Sequence, residues 1–336
     1  MLKIGIIGAG RMGNAHAANL VNLNNVKLST VYDIDPKKSK AFVEKYPDVK
    51  ILASAEEVCN SPETDLIVIT SPTYCHKEAL LVAMATGKPI FCEKPLCRTK
   101  EELEELKPLI RSYKNLFAIG FVRRYSPSSM LLKKLIDEGK IGKLICSSVS
   151  SLFGGYSRVW GDWFTDYEKS GGVTLDMLAH HCDLQNLFFG KPESVYARAF
   201  RLPKTDELPK DYVSATLTYA DGCICNMECS WLRGGPSTSY MTVYGEKGAL
   251  KYSDDDGLTF YDIGGAATKI DVDEGILGPL QESISGGMYA TEMAHIVNCV
   301  LNPELKPYAG AEEAIAAMEL CLGMMKSAET GEIVKF

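Results

Sequence analysis

The chain lacks any hydrophobic run approaching the length of a membrane span, any segment resembling a secretory leader, any internal repeat and any low-complexity or linker-like stretch. A spanning helix is therefore not expected, and the absence of a leader-like segment predicts a cytoplasmic protein. Positive charge is also short: 36 lysines and arginines face 43 acids, and the net charge of −7 argues against nucleic acid or an anionic membrane surface as partner. Cysteine is not scarce, at eleven, but the number is odd and the residues are scattered from Cys59 to Cys321. Reduced thiols packed in the interior are expected rather than a disulfide framework. What remains is an ordinary globular composition, 46% hydrophobic and 24% charged, in 336 residues, enough for two domains that each bury a core.

The stretch that organises the rest comes first. Leu2 to Ile7 (LKIGII) is too short for a helix and β-branched enough for a buried parallel strand, and it runs directly into Gly8-Ala9-Gly10-Arg11-Met12-Gly13. In a strand, Gly-x-Gly-x-x-Gly turn and helix, the first glycine permits the tight turn, the second lets a pyrophosphate approach the backbone, and the third lets helix and strand pack closely. The free amides of the helix N-terminus then face the phosphates. A second strand, Lys27 to Tyr32, ends at Asp33, twenty residues after Gly13. An acid there accepts hydrogen bonds from ribose hydroxyls and repels a 2′-phosphate, which predicts NAD as the cofactor, with NADP the lesser alternative because Lys37 and Lys38 lie close by.

Strand and helix patterns continue to alternate: a helix over Pro36–Tyr46, strands over Val49–Leu52 and Leu66–Ile69, a helix ending near Thr86, a strand over Pro89–Cys92, a helix over Lys100–Tyr113 and a strand over Leu116–Gly120. This predicts an α/β chain whose N-terminal domain, 1–120, is a doubly wound parallel sheet. The second domain, 121–336, carries helices over Ser126–Glu138, Gly172–Phe189, Met288–Leu301 and Ala311–Thr330, a strand over Lys143–Phe153, and a series of alternating runs between Ser194 and Asp262. Turn signals separate several of those runs, so a largely antiparallel sheet is expected.

Side chains able to move a proton beside a nicotinamide are few. Lys94 follows a strand's carboxyl end and precedes a proline, which restricts its backbone; it reads equally as a cleft ammonium or a surface lysine. Asp176 and His180 lie four apart on a predicted helix and so share a face, where a carboxylate can orient an imidazole; a plain surface pair or a packed core histidine is the alternative. His181 points away from His180 and is read as structural. No metal is expected, either from Asp176, His180 and Asp183 or from Cys223, Cys225 and Cys229, which read as strand packing.

Together, the glycine turn, Ser71-Pro72 with His76, Glu93-Lys94-Pro95, Gly120-Phe121-Val122-Arg123-Arg124-Tyr125 and Gly171-Gly172 with Asp176 and His180 resemble the glucose-fructose oxidoreductase, inositol dehydrogenase and MocA family. The resemblance implies a Rossmann domain followed by an α/β domain with an open sheet whose face forms the interface of a homodimer or homotetramer. It implies cofactor contacts from Gly8, Ala9, Gly10, Arg11, Met12, Gly13, Asp33, Ser71, Pro72, His76, Glu93 and Lys94. It also implies that Lys94 contacts the reacting hydroxyl while Asp176 and His180 bind substrate and move the proton.

The Arg-Arg-Tyr segment is similar to the inositol dehydrogenase branch and implies Arg123 near substrate. That branch tends to place a polyol-binding histidine around Ser150 and Ser151, and a tyrosine where Trp231 stands, so the expectation is widened to a cyclic polyol or sugar. Trp231 and Trp163 are candidate substrate contacts; Trp163 belongs with Tyr156, Arg158 and Trp160 to a loop that either covers a sugar ring or packs. The activity implied is hydride transfer between nicotinamide and a secondary alcohol, with a redox-assisted glycosidase and a sugar sensor on the same fold as rivals.

Overall fold

The structure, a computed structural model, describes residues 1–152, 163–200, 212–231, 237–253, 256–272 and 287–336. It divides into two compact units, Met1–Tyr125 with Gly278–Ile315 and Ser126–Leu277 with Ala316–Phe336. The first unit thus takes in a segment from the far end of the chain that a simple division at residue 120 leaves out.

In the first unit, β1 (Leu2–Ile7), α1 (Arg11–Leu20), β2 (Val26–Tyr32), α2 (Pro36–Lys45), β3 (Lys50–Ile51), α3 (Ala55–Asn60), β4 (Leu66–Ile69), α4 (His76–Ala85), β5 (Ile90–Glu93), α5 (Lys100–Ser112) and β6 (Phe117–Gly120) alternate as expected. Only the short α3 was not anticipated, because six residues give too little periodicity to read. The six strands are parallel in the order β3-β2-β1-β4-β5-β6. Each residue of Leu66–Ile69 is buried, as a strand covered on both faces requires. The order reverses between β1 and β4, so a crevice opens at their carboxyl ends, where open α/β sheets hold their ligands.

The second unit begins with α6 (Pro127–Asp137), β7 (Leu144–Leu152), α7 (Tyr167–Ser170) and α8 (Ala179–Phe189). Its remaining strands are β8 (Ser194–Phe200), β9 (Tyr212–Thr218), β10 (Ile224–Ser230), β11 (Thr238–Gly245), β12 (Gly248–Ser253), β13 (Gly257–Asp262) and β14 (Ala267–Ile270). The helix expected over Gly172–Phe189 needs correction: it is a helical run interrupted by a π turn at Thr174–Leu178. Two helices follow, α9 (Gly287–Leu301) with the first unit and α10 (Ala311–Thr330), which from Ala316 belongs with the second, and β15 (Val334–Lys335) closes the chain.

Among the described residues the second sheet has nine strands, in the order β14-β13-β12-β11-β7-β10-β9-β8-β15, antiparallel at every junction except the parallel β7 and β10 pair. Val149, Met227 and Met241 lie opposite one another and are buried. Cys225 and Cys229 share that face, as the strand-packing reading expects. All eleven cysteines are free thiols and nine are buried. The opposite face leaves Tyr196, Phe200, Ile224 and Tyr244 exposed.

The helix from the far end is part of the first core. Met293, Ile296 and Val297 of α9 pack in one cluster with Ile4, Ile6, Leu20 and Phe91. Ile296 is 1% exposed, so Ile296→Ala should lower stability by roughly 2–5 kcal/mol, read by urea denaturation. A loss below about 0.5 kcal/mol, the range of uninvolved surface positions, would exclude α9 from that core.

Candidate active site

The loop between β1 and α1 is shaped by what its glycines omit. Gly8 has φ +105°, and a Cβ there would lie 2.5 Å from the Ser71 nitrogen; a Cβ on Gly13 would lie 2.0 Å from the Gly8 oxygen. Both positions need glycine for packing within the chain. Gly10 is different, since a Cβ there would meet nothing within 4 Å. It is the N-cap residue of α1, no side chain caps the helix, and its first turn holds no acid. The backbone at Gly10 is therefore open and the first amides of α1 keep their capacity for an anion.

Asp33, at the end of β2, is 9% exposed. Its Oδ2 accepts the Ala9 N–H at 2.8 Å and its Oδ1 accepts the Asp35 N–H at 2.9 Å. A carboxylate offers about four acceptor positions, so capacity remains for ribose hydroxyls. Ser71, just past β4, has a buried Oγ without a hydrogen-bond partner in the protein. Open backbone at Gly10, uncapped amides and an orphan hydroxyl at the carboxyl edge are the features a bound dinucleotide completes. Arg11 is exposed and Met12 half-buried at the start of α1, and Pro72 begins the short turn Thr73–Cys75 that leads into α4.

His76 ties two of these turns together. Its Nδ1 lies 2.7 Å from the Pro95 carbonyl and its Nε2 2.9 Å from the Ser71 carbonyl, with the ring 1% exposed. A neutral ring can donate to one carbonyl only, whereas an imidazolium serves both. Burial away from water opposes the charge and is the larger effect, so the pKa lies below its ordinary value although both carbonyls and Glu93 pull it up. His76 thus braces the turns rather than presenting a face to solvent.

Lys94 is half-buried and its N–H donates to Glu93 Oε2 at 3.1 Å. Glu93 is itself buried and its Oε1 lies 2.6 Å from His16 Nε2. Arg123 is half-buried in the turn Val122–Tyr125; its neighbour Arg124 is buried and donates to the Tyr308 carbonyl at 2.5 Å. The turn is therefore anchored by Arg124.

In the second unit, Asp176 lies in the π turn and His180 in the first turn of α8, both half-buried. Four residues overshoot one turn of an α-helix and fall short of one in a π turn; in either geometry the two side chains share a face. Such single π turns concentrate at functional sites. His181 and Asp183 are buried, His181 as expected of a structural residue. Trp231, 5% exposed, meets Phe164 edge-on at 6.5 Å, and Trp163 lies 3.9 Å from Phe164 between ring centroids. Ser151 is buried and Ser150 donates to Glu228 at 2.8 Å. Tyr156, Arg158 and Trp160 lie outside the described residues.

Residues 2–121 match the oxidoreductase family model with the NAD-binding Rossmann fold, and residues 130–251 match the GFO/IDH/MocA C-terminal domain. The chain belongs to the GFO/IDH/MocA oxidoreductase family. It is similar to inositol 2-dehydrogenase of Rhizobium meliloti, 29% identical across 74% of either chain. It is also similar to glucose-6-phosphate 3-dehydrogenase of Bacillus subtilis, 31% identical across 62% of this chain and 60% of that one. Among solved structures, levoglucosan dehydrogenase in complex with NADH and levoglucosan has the same fold, with a TM-score of 0.87, 19% identity and 99% of both chains covered. The GFO/IDH/MocA assignment makes the first unit's parallel-sheet fold an NAD-binding Rossmann domain.

Two outcomes are expected. Asp33→Ser removes a charged acceptor from the Ala9 N–H as well as the repulsion of a 2′-phosphate. NAD binding should weaken by about 1.5–3 kcal/mol and the margin over NADP should shrink, measured by fluorescence titration. His76, with its lowered pKa, contributes stability that is present above the ordinary imidazole value and lost as pH falls below about 6.5. Between pH 7.5 and 5 the unmodified protein should therefore lose more stability than His76→Gln, by at most about 1.4 kcal/mol per pH unit. The opposite slope would mean that the two carbonyls outweigh burial.

Proposed function

We propose that the chain is an NAD-dependent dehydrogenase acting on a secondary alcohol of a cyclic polyol or sugar. The observation that carries the reading is the presence of Lys94, Asp176 and His180, each half-buried, in a GFO/IDH/MocA chain with an intact nucleotide loop. Its relatives named for inositol and for glucose 6-phosphate put ring hydroxyls forward as the substrate class. When bound, NAD supplies the hydride acceptor.

The protein supplies the proton chemistry. An alcohol is too weak an acid to lose its proton unaided, and imidazole is the side chain whose ordinary pKa suits a base near neutrality. His180 takes the hydroxyl proton, and Asp176 on the same helical face orients His180 or the substrate. Lys94 takes the role of an ammonium that stabilises developing negative charge on the substrate oxygen. Arg123 and the aromatic pair Trp163 and Trp231 supply the remaining substrate contacts. No described helix is long and apolar enough to cross a membrane, and we place the protein in the cytosol. Tyr196, Phe200, Ile224 and Tyr244 on the open sheet face suit contact with a second copy.

Screening polyols, pyranoses and their keto forms for a change in NADH absorbance tests the reaction. Free NADH should appear in proportion to substrate oxidised; release of an aglycone without net NADH would assign a glycosidase instead. With the substrate in hand, His180→Ala should lower kcat by roughly 100-fold or more and abolish the pH dependence near neutrality. Lys94→Ala should lose turnover while keeping NAD binding. Near-normal turnover and an unchanged pH profile in His180→Ala would move the base elsewhere.

A further inference from the structure

Within the first unit, three ionisable side chains from three elements meet in the interior: His16 of α1, Glu93 at the end of β5 and Glu292 of α9. Glu93 is expected beside the cofactor, but the reaction gives no part to His16 or Glu292. They are 0%, 6% and 0% exposed. One donor atom of each lies within 4.8 Å of the others. His16 Nε2 and Glu93 Oε1 are already in contact at 2.6 Å, whereas both carboxylate oxygens of Glu292, and His16 Nδ1, have no hydrogen-bond partner in the protein.

Glu292 is thus a fully buried acid directed at a histidine and a second acid. Burial and the nearby Glu93 push its carboxyl well above the ordinary range, because two carboxylates this close do not both keep a charge without compensation. Compensation has two forms. Two protons, one on His16 and one on Glu292, neutralise the group but leave the Glu292 oxygens without partners. One divalent cation balances two carboxylates and a neutral imidazole and gives Glu292 a ligand role.

The donor set fits such an ion. One imidazole nitrogen with carboxylate oxygens suits first-row dications; bonds of about 2.0–2.2 Å place separate donors roughly 3–4.4 Å apart, so as the ion enters, His16 Nε2 and Glu93 Oε1 give up their 2.6 Å contact and move apart by a few tenths, and the widest spacing closes by as much. The three elements are held by one core, since α1, β5 and α9 all contribute to the cluster around β1. We propose that His16, Glu93 and Glu292 bind one first-row divalent cation, of the manganese or zinc type. The ion would fix Glu93, whose other oxygen accepts the Lys94 N–H at 3.1 Å, and so hold the backbone of Lys94 in place.

The test is a metal titration of the full-length chain after dialysis against a chelator, without NAD or substrate, so its result does not depend on the proposed reaction. Mn2+ is the first probe, because thiolates compete poorly for it; its binding is read from loss of the free-ion EPR signal and Zn2+ binding from the shift in Tm. The expected result is one equivalent per chain, a raised Tm, and loss of both in His16→Gln and in Glu292→Gln. The glutamine in Glu292→Gln keeps the shape of the acid and removes its charge, and circular dichroism verifies that each variant is folded. Failure of both ions to bind, or unchanged binding in folded Glu292→Gln, overturns the proposal and leaves a proton-holding group.

Discussion

The hydrogen bond from the Ala9 N–H to Asp33 Oδ2, 2.8 Å long and buried, joins the carboxyl ends of β1 and β2, and the geometry around the nucleotide loop depends on it. With Ala9 held, Gly8 can adopt its left-handed turn against Ser71, and Gly13 can pack on the Gly8 carbonyl. That packing fixes where α1 begins. Because α1 is a rigid rod, its start also decides where His16 arrives, against Glu93 beside Lys94. One carboxylate therefore influences both the glycine loop and the turn that carries Lys94.

Histidines brace the turns at the carboxyl edge of the first sheet. His76 joins the turn after β4 to the turn after β5 through the Ser71 and Pro95 carbonyls, and His16 joins α1 to Glu93. Both rings are almost wholly buried. A buried polar group that finds its partners rigidifies its surroundings, and one that loses a partner is costly, so such braces restrict the turns to a narrow set of positions. That is the preorganisation a dehydrogenase needs around its cofactor. The second unit uses different means: a π turn interrupts the helix at Asp176, and Phe164 packs against both Trp163 and Trp231, the latter just past the end of β10.

The first sheet was legible because its signals are local. A run such as Leu66–Ile69, the glycine spacing and the acid at the end of β2 lie within short windows, and backbone sterics at Gly8 and Gly13 admit few alternatives. The second sheet was legible as alternating runs, but not in its order. Pairing β7 with β10 in parallel depends on residues about 80 apart and on the faces they bury together, which alternation alone does not encode.

The sequence by itself determined the glycine turn, NAD as the cofactor and the doubly wound sheet, and it nominated Asp33, Lys94, Asp176 and His180 as site residues, since each rests on neighbours in the chain or on a family pattern. Only the tertiary structure decided that α9 belongs to the first core, that the helix through Asp176 opens into a π turn, and that Glu93 turns inward to His16. Glu292 left one clue, as the lone acid in a largely apolar α9, yet nothing near it in the chain named its partners. His16 and Glu93 are 77 residues apart, and folding alone brings them to 2.6 Å; contacts between distant segments follow from how whole elements pack, which no short stretch of residues specifies.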